Sequence, residues 1–303
     1  MASRFSRPLG AHAVAISVVA ILGLLAVAKR SAAQQPDSSN AEVVRSLDSL
    51  IIDAAAIASR IPSTAQMVQS TLRAQPGNSV GSESAWGAGW ADFFVGAGYQ
   101  ERGRFSSKPD GSLSFGFGLG NPQRDIGMEV GINSASTLRQ IPGRNGSVSV
   151  KLHRVLPGAY GIAVGVENGA SWGGTDGGSS TYGAVSHTHK MRDDPSWFLG
   201  SIAWNIGIGN SRFLSQDDLA RGKRGVNVFG SAGLRLAARA SLVGDWTGQD
   251  LDAGLSLVPF HRSPLVLSLG LADLTHRAGD GARLIVGLGA GFRVLDLLAT
   301  QGR

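Results

Sequence analysis

The chain has 303 residues, with 28 Lys and Arg against 22 Asp and Glu, a formal charge of +6, 43 glycines and no cysteine. Lack of cysteine excludes disulfides and thiolate metal sites, and no segment past residue 33 approaches 18 consecutive apolar residues, which excludes a polytopic helical membrane protein. Glycine at about twice its usual share of roughly 7%, without a G-X-Y period, suits strands better than helices.

Residues 1–33 read as an export signal. Arg4 and Arg7 give a positive start, Val14 to Ala28 an apolar run, and Ser31-Ala32-Ala33 a small-residue cleavage site before Gln34. Its removal takes away Arg4, Arg7, Lys29 and Arg30 and no acidic residue, so the mature charge falls from +6 to +2. With so small an excess, and no basic stripe interleaved with aromatics, nucleic acid is not an expected partner.

Residues 34–89 form the next region, a periplasmic amphipathic helix and a linker. Val43, Leu47, Leu50, Ala54, Ile57 and Ile61 fall at spacings of four and three between Asn40, a suitable N-cap, and Pro62. The spacing predicts a helix over 41–61 that packs on its own chain, caps the domain that follows, or pairs with other copies into a homo-oligomer. Residues 74–89, rich in Gly, Ser and Pro, read as a linker.

From Trp90 to Phe292 the period changes to 2. Leu113, Phe115, Phe117 and Leu119 alternate with Ser112, Ser114, Gly116, Gly118 and Gly120, and Ile126, Met128, Val130 and Ile132 alternate with Gly127, Glu129, Gly131 and Asn133. Strands are predicted near 90–99, 111–120, 125–133, 146–154, 158–167, 180–190, 196–208, 226–235, 239–247, 250–258, 264–272 and 282–292. An even set of about twelve segments, each of about ten residues, fits an all-β, antiparallel, up-and-down transmembrane β-barrel. The gaps alternate long and short except near residue 249, where an expected long loop is missing, and their phase puts both termini on the periplasmic side. The second face of each strand is mostly Gly, Ser and Ala, which suits a crowded lumen, whereas a soluble sandwich would carry many charges there.

Alternation places Asp92, Glu129, Lys151, His153, Glu167, Asn205, Arg235, Arg239, Asp245, Asp252 and Arg283 on the lumen face. Acidic and basic members are comparable in number, so they form either a network bracing the wall or a charged constriction. Asp245, Asp252, Arg239 and Arg283 share one parity on neighbouring strands, which predicts at least one carboxylate–guanidinium pair among them. His187 and His189 share a strand face but lack a third ligand, so no metal site is expected. Gly173 to Gly178 lacks the EF-hand spacing and closing Glu of a calcium loop. There is no G-x-S-x-G elbow, nor a nucleophile with a base in reach, so neither an enzyme nor a cofactor is expected.

Three stretches, Val226-Asn227-Val228-Phe229-Gly230, Asp245-Trp246-Thr247-Gly248-Gln249-Asp250-Leu251, and Ala272-Asp273-Leu274-Thr275 with Gly279-Asp280-Gly281-Ala282-Arg283, resemble an uncharacterised family of exported bacterial β-barrel proteins seen chiefly in cyanobacteria. The likeness weakens through 173–186 and back to Phe93. It implies a barrel in the outer-membrane lipid, and no substrate. Phe292 holds the place of the closing aromatic residue of such barrels, followed by a tail, 293–303. The functional expectation is a passive or gated pore for small polar solutes; the alternative is a closed structural or surface-interaction barrel that binds a partner through its long loops or N-terminal helix.

Overall fold

The computed structural model of the protein describes residues 75–293, apart from 105, 136, 139, 174–177, 195–196, 261–263 and 279–280. The expected signal segment, the helix over 41–61 and the tail after Arg293 lie outside the described residues. Twelve antiparallel strands form one closed barrel in which each strand pairs with its sequence neighbours and β1 pairs with β12. They are β1 Asp92–Gln100, β2 Asp110–Gly120, β3 Gly127–Ala135, β4 Gly146–Leu156, β5 Tyr160–Trp172 and β6 Ser180–Lys190. The second half comprises β7 Ser201–Asn210, β8 Val226–Ala237, β9 Ala240–Trp246, β10 Leu251–Leu257, β11 Leu265–Ala272 and β12 Arg283–Arg293. Closure leaves no edge strand with unpaired backbone groups.

Register follows the period read from the sequence. In β2 and β3 the pairs Phe115↔Ile132 and Phe117↔Val130 lie outside, while Ser114↔Asn133 and Gly118↔Glu129 lie inside. One residue of slip would exchange the two faces, so alternation fixes the pairing. The outer face is apolar around the circumference, with exposed Leu113, Phe115, Ile132, Val185, Ile206, Val228, Leu242, Leu269 and Leu288. Aromatic residues gather toward its two rims. Trp90, Trp197, Phe198 and Phe260 are exposed at the end holding Asp92 and Arg293, the turn end. There Tyr160 stacks on His187 with centroids 4.0 Å apart, and Trp204 lies 5.6 Å beyond that ring. At the opposite, loop end, the indoles of Trp172 and Trp246 donate to Gly143 O and Val228 O.

Two connections depart from expectation. β7 begins at Ser201 rather than 196, so Trp197 and Phe198 belong to an exposed turn-end connection instead of a strand. Their bulk resembles strand sequence, but aromatic side chains also suit a rim. The loop between β7 and β8 is partly internal: a 3-10 turn, Ser211–Phe213, precedes a short helix α1, Gln216–Ala220. Ser215 caps α1 by accepting from Asp218 N, and Lys223 and Ser215 together hold the half-exposed Asp218 carboxyl below its usual range. Phe213 turns into the barrel mouth and is fully buried, with its ring 4.3 Å from Phe229 and 6.0 Å from Tyr182. These rings form a small apolar core inside the lumen. Gly207 makes it possible, because a Cβ there would sit 2.2 Å from the Phe229 ring.

Candidate functional site

The lumen is occupied by the segment just before β1. The expected linker, residues 74–89, together with residues 90 and 91 of the expected first strand, forms an internal strap from residue 75 onward. It starts at the turn end, where Arg235 Nη2 donates to Gln75 Oε1 (3.2 Å), and rises past β10, where Gly77 N donates to Ser256 Oγ (2.7 Å). Near the loop end it crosses beside Asp245, then descends past β6 and β3 to enter β1. On the way down Ala85 N donates to Ser186 Oγ (2.7 Å) and Ala88 N to Glu129 Oε2 (2.7 Å). A buried irregular segment must find partners for its backbone groups, and here lumen side chains supply them.

Asp245 carries the apex. Its Oδ2 accepts from the Ser79 hydroxyl (2.6 Å) and from three successive amides, Val80 (2.8 Å), Gly81 (2.9 Å) and Ser82 (3.1 Å). Successive N–H groups converging on one anion form a nest, and the carboxylate is only 1% exposed. The expected arginine partner is therefore replaced by peptide dipoles. Among the described residues no ion pair joins Asp245 or Asp252 to Arg239 or Arg283. Arg283 instead approaches Asp250 (Nη2–Oδ2, 3.6 Å), and Asp252 Oδ1 accepts from Asp273 N (2.9 Å). Arg239 is not in the lumen at all: it is exposed in the turn between β8 and β9 and donates to Pro259 O (3.4 Å).

The other lumen residues fall into small groups. Asp92 pairs with Arg293 (2.8 Å) across the β1–β12 seam and accepts from Gly89 N (2.9 Å). Glu129 pairs with Lys151 (3.0 Å) while holding the strap, and the His153 imidazole donates to Ala88 O (3.0 Å). Arg212 donates to Glu167 Oε1 (2.8 Å) and lies 3.6 Å from Glu83 of the strap, whose carboxylate also accepts from the Tyr182 hydroxyl (3.2 Å). Asn205 Oδ1 accepts from Ser186 (2.5 Å) and from Asn78 (3.3 Å), and its Nδ2 donates to Ser231 Oγ (2.6 Å). The charges thus brace wall and strap together, rather than forming one ring.

The short β9–β10 turn is the site of the missing long loop. Asp250 is buried there, bonded to Thr247 and to Arg104 of the β1–β2 loop (3.2 Å), while Gln249 also meets Arg104. Neighbouring loops close over this turn and supply the bulk a longer connection would have given.

The strap leaves part of the lumen open. Two adjoining cavities of about 790 and 660 Å³ share Val80, Asp110, Ser112, Ala135 and Arg212 in their lining. They lie toward the loop end between the strap apex and the wall from β11 through β1 to β5, as a vestibule floored by the strap. His187 and His189 point to the outer face instead; His187 Nδ1 donates to Ala159 O (3.2 Å). Of the glycine-rich loop, residues 174–177 lie outside the described residues.

No protein-family model and no curated protein matches the chain. Among solved structures, it is similar to the outer membrane protein Omp33 of Acinetobacter baumannii at 8% identity and a TM-score of 0.38, over 67% of this chain and 98% of that one. It is also similar to the beta domain of the Bordetella autotransporter BrkA at 18% identity and a TM-score of 0.31, covering 67% and 100% of the two chains. The N-terminal β-barrel domain of Pseudomonas aeruginosa OprF gives 9% and 0.21, covering 67% and 98%.

Proposed function

We propose that the protein is a bacterial outer-membrane barrel, exported by its N-terminal signal, that acts as a gated conduit for small polar solutes with the strap, residues 75–91, as its internal gate. The observation that carries the reading is the pairing of an apolar outer wall, rimmed by aromatic residues at both ends, with a small and polar inner wall. Such a wall meets lipid outside and water inside. Twelve strands spaced about 4.8 Å and tilted about 40° enclose a backbone radius of roughly 12 Å, wide enough for small solutes once the strap moves and too narrow for folded proteins.

The density of strap contacts favours one second reading, a permanently closed barrel whose external loops bind a partner; Leu138 (59% exposed) and Ile141 (78%) in the β3–β4 loop offer apolar contact for it. Planar-bilayer recording separates the two. The full chain is expected to show rare openings, and a variant lacking residues 76–89 frequent, discrete steps of uniform size. A variant that folds by circular dichroism yet never conducts would overturn the conduit reading and leave the closed barrel.

A further inference from the structure

The vestibule wall has a chemistry of its own. Ser114, Asn133 and Ser147 are directly paired across β2, β3 and β4, so their side chains form one row on the inner face. The next row down places Gly131 beside Ser149, whose Oγ accepts from Asn168 N (3.2 Å). The side chains of Ser112, Ser114 and Asn133 line the cavity and make no hydrogen bond among the described residues. The charges facing the same space are already engaged: Lys151 with Glu129, Arg212 with Glu167 and Glu83, and Asp110 with the Gly111 amide, from which it accepts (2.8 Å). What the wall offers to a visitor is therefore a set of neutral donors and acceptors, about 5 Å apart along the row.

Beside this row lies an aromatic surface. The Phe94 ring lies against the wall over Gly116, where a Cβ would sit 2.1 Å from Phe94 Cζ, and it also lines the cavity. Any side chain at 116 would lift the ring off the wall. A ring at the border of a polar row offers the cavity an aromatic surface, on which polarised C–H groups stack favourably.

We propose that the vestibule binds a neutral saccharide of one or two rings, with its C–H face on Phe94 and its hydroxyls on Ser114 and Asn133. Each hydroxyl both donates and accepts, as do the serine hydroxyl and the asparagine amide facing it. A charged ligand would find the fixed charges of the site already engaged by protein partners. The two cavities, of about 790 and 660 Å³, leave room for a disaccharide without moving the strap. The proposal deepens the conduit reading by naming its solute class.

Isothermal titration of the full chain in detergent with glucose, maltose, sucrose and trehalose, and with phosphate and spermidine as charged controls, tests it. Binding of at least one sugar, tighter than either control, is expected. Phe94→Leu keeps the apolar bulk without the π face and should weaken that sugar about tenfold; Asn133→Ala should weaken it about fivefold. Absence of heat with all four sugars, tighter binding of a charged control, or a sugar affinity indifferent to both substitutions would overturn the site. Titration uses the closed barrel and needs no opening, so sugar binding with a silent bilayer record loses the conduit and keeps the site, whereas a conducting strap-deleted barrel without sugar binding does the reverse.

Discussion

The same inner wall is filled on one side and open on the other. From β6 to β10 its small and polar residues, Ser186, Asn205, Ser231, Asp245 and Ser256, lie against the strap or one another and are almost wholly buried. From β2 to β4 equally small and polar residues, Ser112, Ser114 and Asn133, face open space. Composition does not distinguish the two sides. The difference lies in whether a run of backbone amides meets the wall: Asp245 and Ser186 have such donors opposite them, and Ser114 and Asn133 have none.

The largest expected break in this comparison comes from putting one long cation on each side. Ser186→Arg would force a guanidinium into a site with no exposure, breaking the Ser186–Asn205 bond and displacing the strap at Ala85, and should destabilise the barrel by about 4 kcal/mol or more. Ser114→Arg should cost less than about 1 kcal/mol, because its guanidinium extends into the vestibule. Thermal unfolding of the two variants in one detergent measures the gap; equal melting temperatures would mean that the two sides are not different.

A smaller effect tests what holds the apex. Asp245→Ala removes one acceptor from four donors, and about 3 kcal/mol of local opening free energy should go with it, at roughly 1 kcal/mol for most of the bonds. Hydrogen exchange at Val80, Gly81 and Ser82 should then speed by about two orders of magnitude while amides in β2 and β3 keep their rates. Unchanged exchange at the three amides would remove Asp245 as the anchor.

The smallest effect lies on the open side. Asn133→Ala should change stability by no more than about 0.5 kcal/mol, since its amide braces nothing. A larger loss in chemical denaturation would show that the row is structural.

The barrel was legible in the sequence because an apolar outer face and a narrow polar lumen impose alternation along the strands, and β2 and β3 carry it from Leu113 to Leu119 and from Met128 to Ile132. The strap was not, because a glycine- and serine-rich segment has the same composition whether it links two regions in solvent or packs its backbone against a wall. Its recognition elements are peptide N–H groups, which leave no trace in residue identity. Parity alone therefore points Asp245 to a guanidinium and includes Arg239, which sits in the turn beyond the end of β8. One signal was available: a lumen about 12 Å in radius, with carboxylates on its wall, needs something to fill it. Likewise the β7–β8 segment reads as an external loop until Phe213 and Leu214, both buried, are seen to enter the mouth.

The strap goes in and comes out through one opening. Gln75 and Asp92 both lie at the turn end, with the apex at Asp245 between them, so the segment is a hook laid into the barrel and not a cord threaded through it. A hook can be drawn out without any chain end crossing the lumen and without breaking the β1–β12 seam. Tension on the chain before Gln75, applied from that end, would load the Gly77, Ser79 and Val80 contacts in succession, as a zipper opens, and slackening would let them close again.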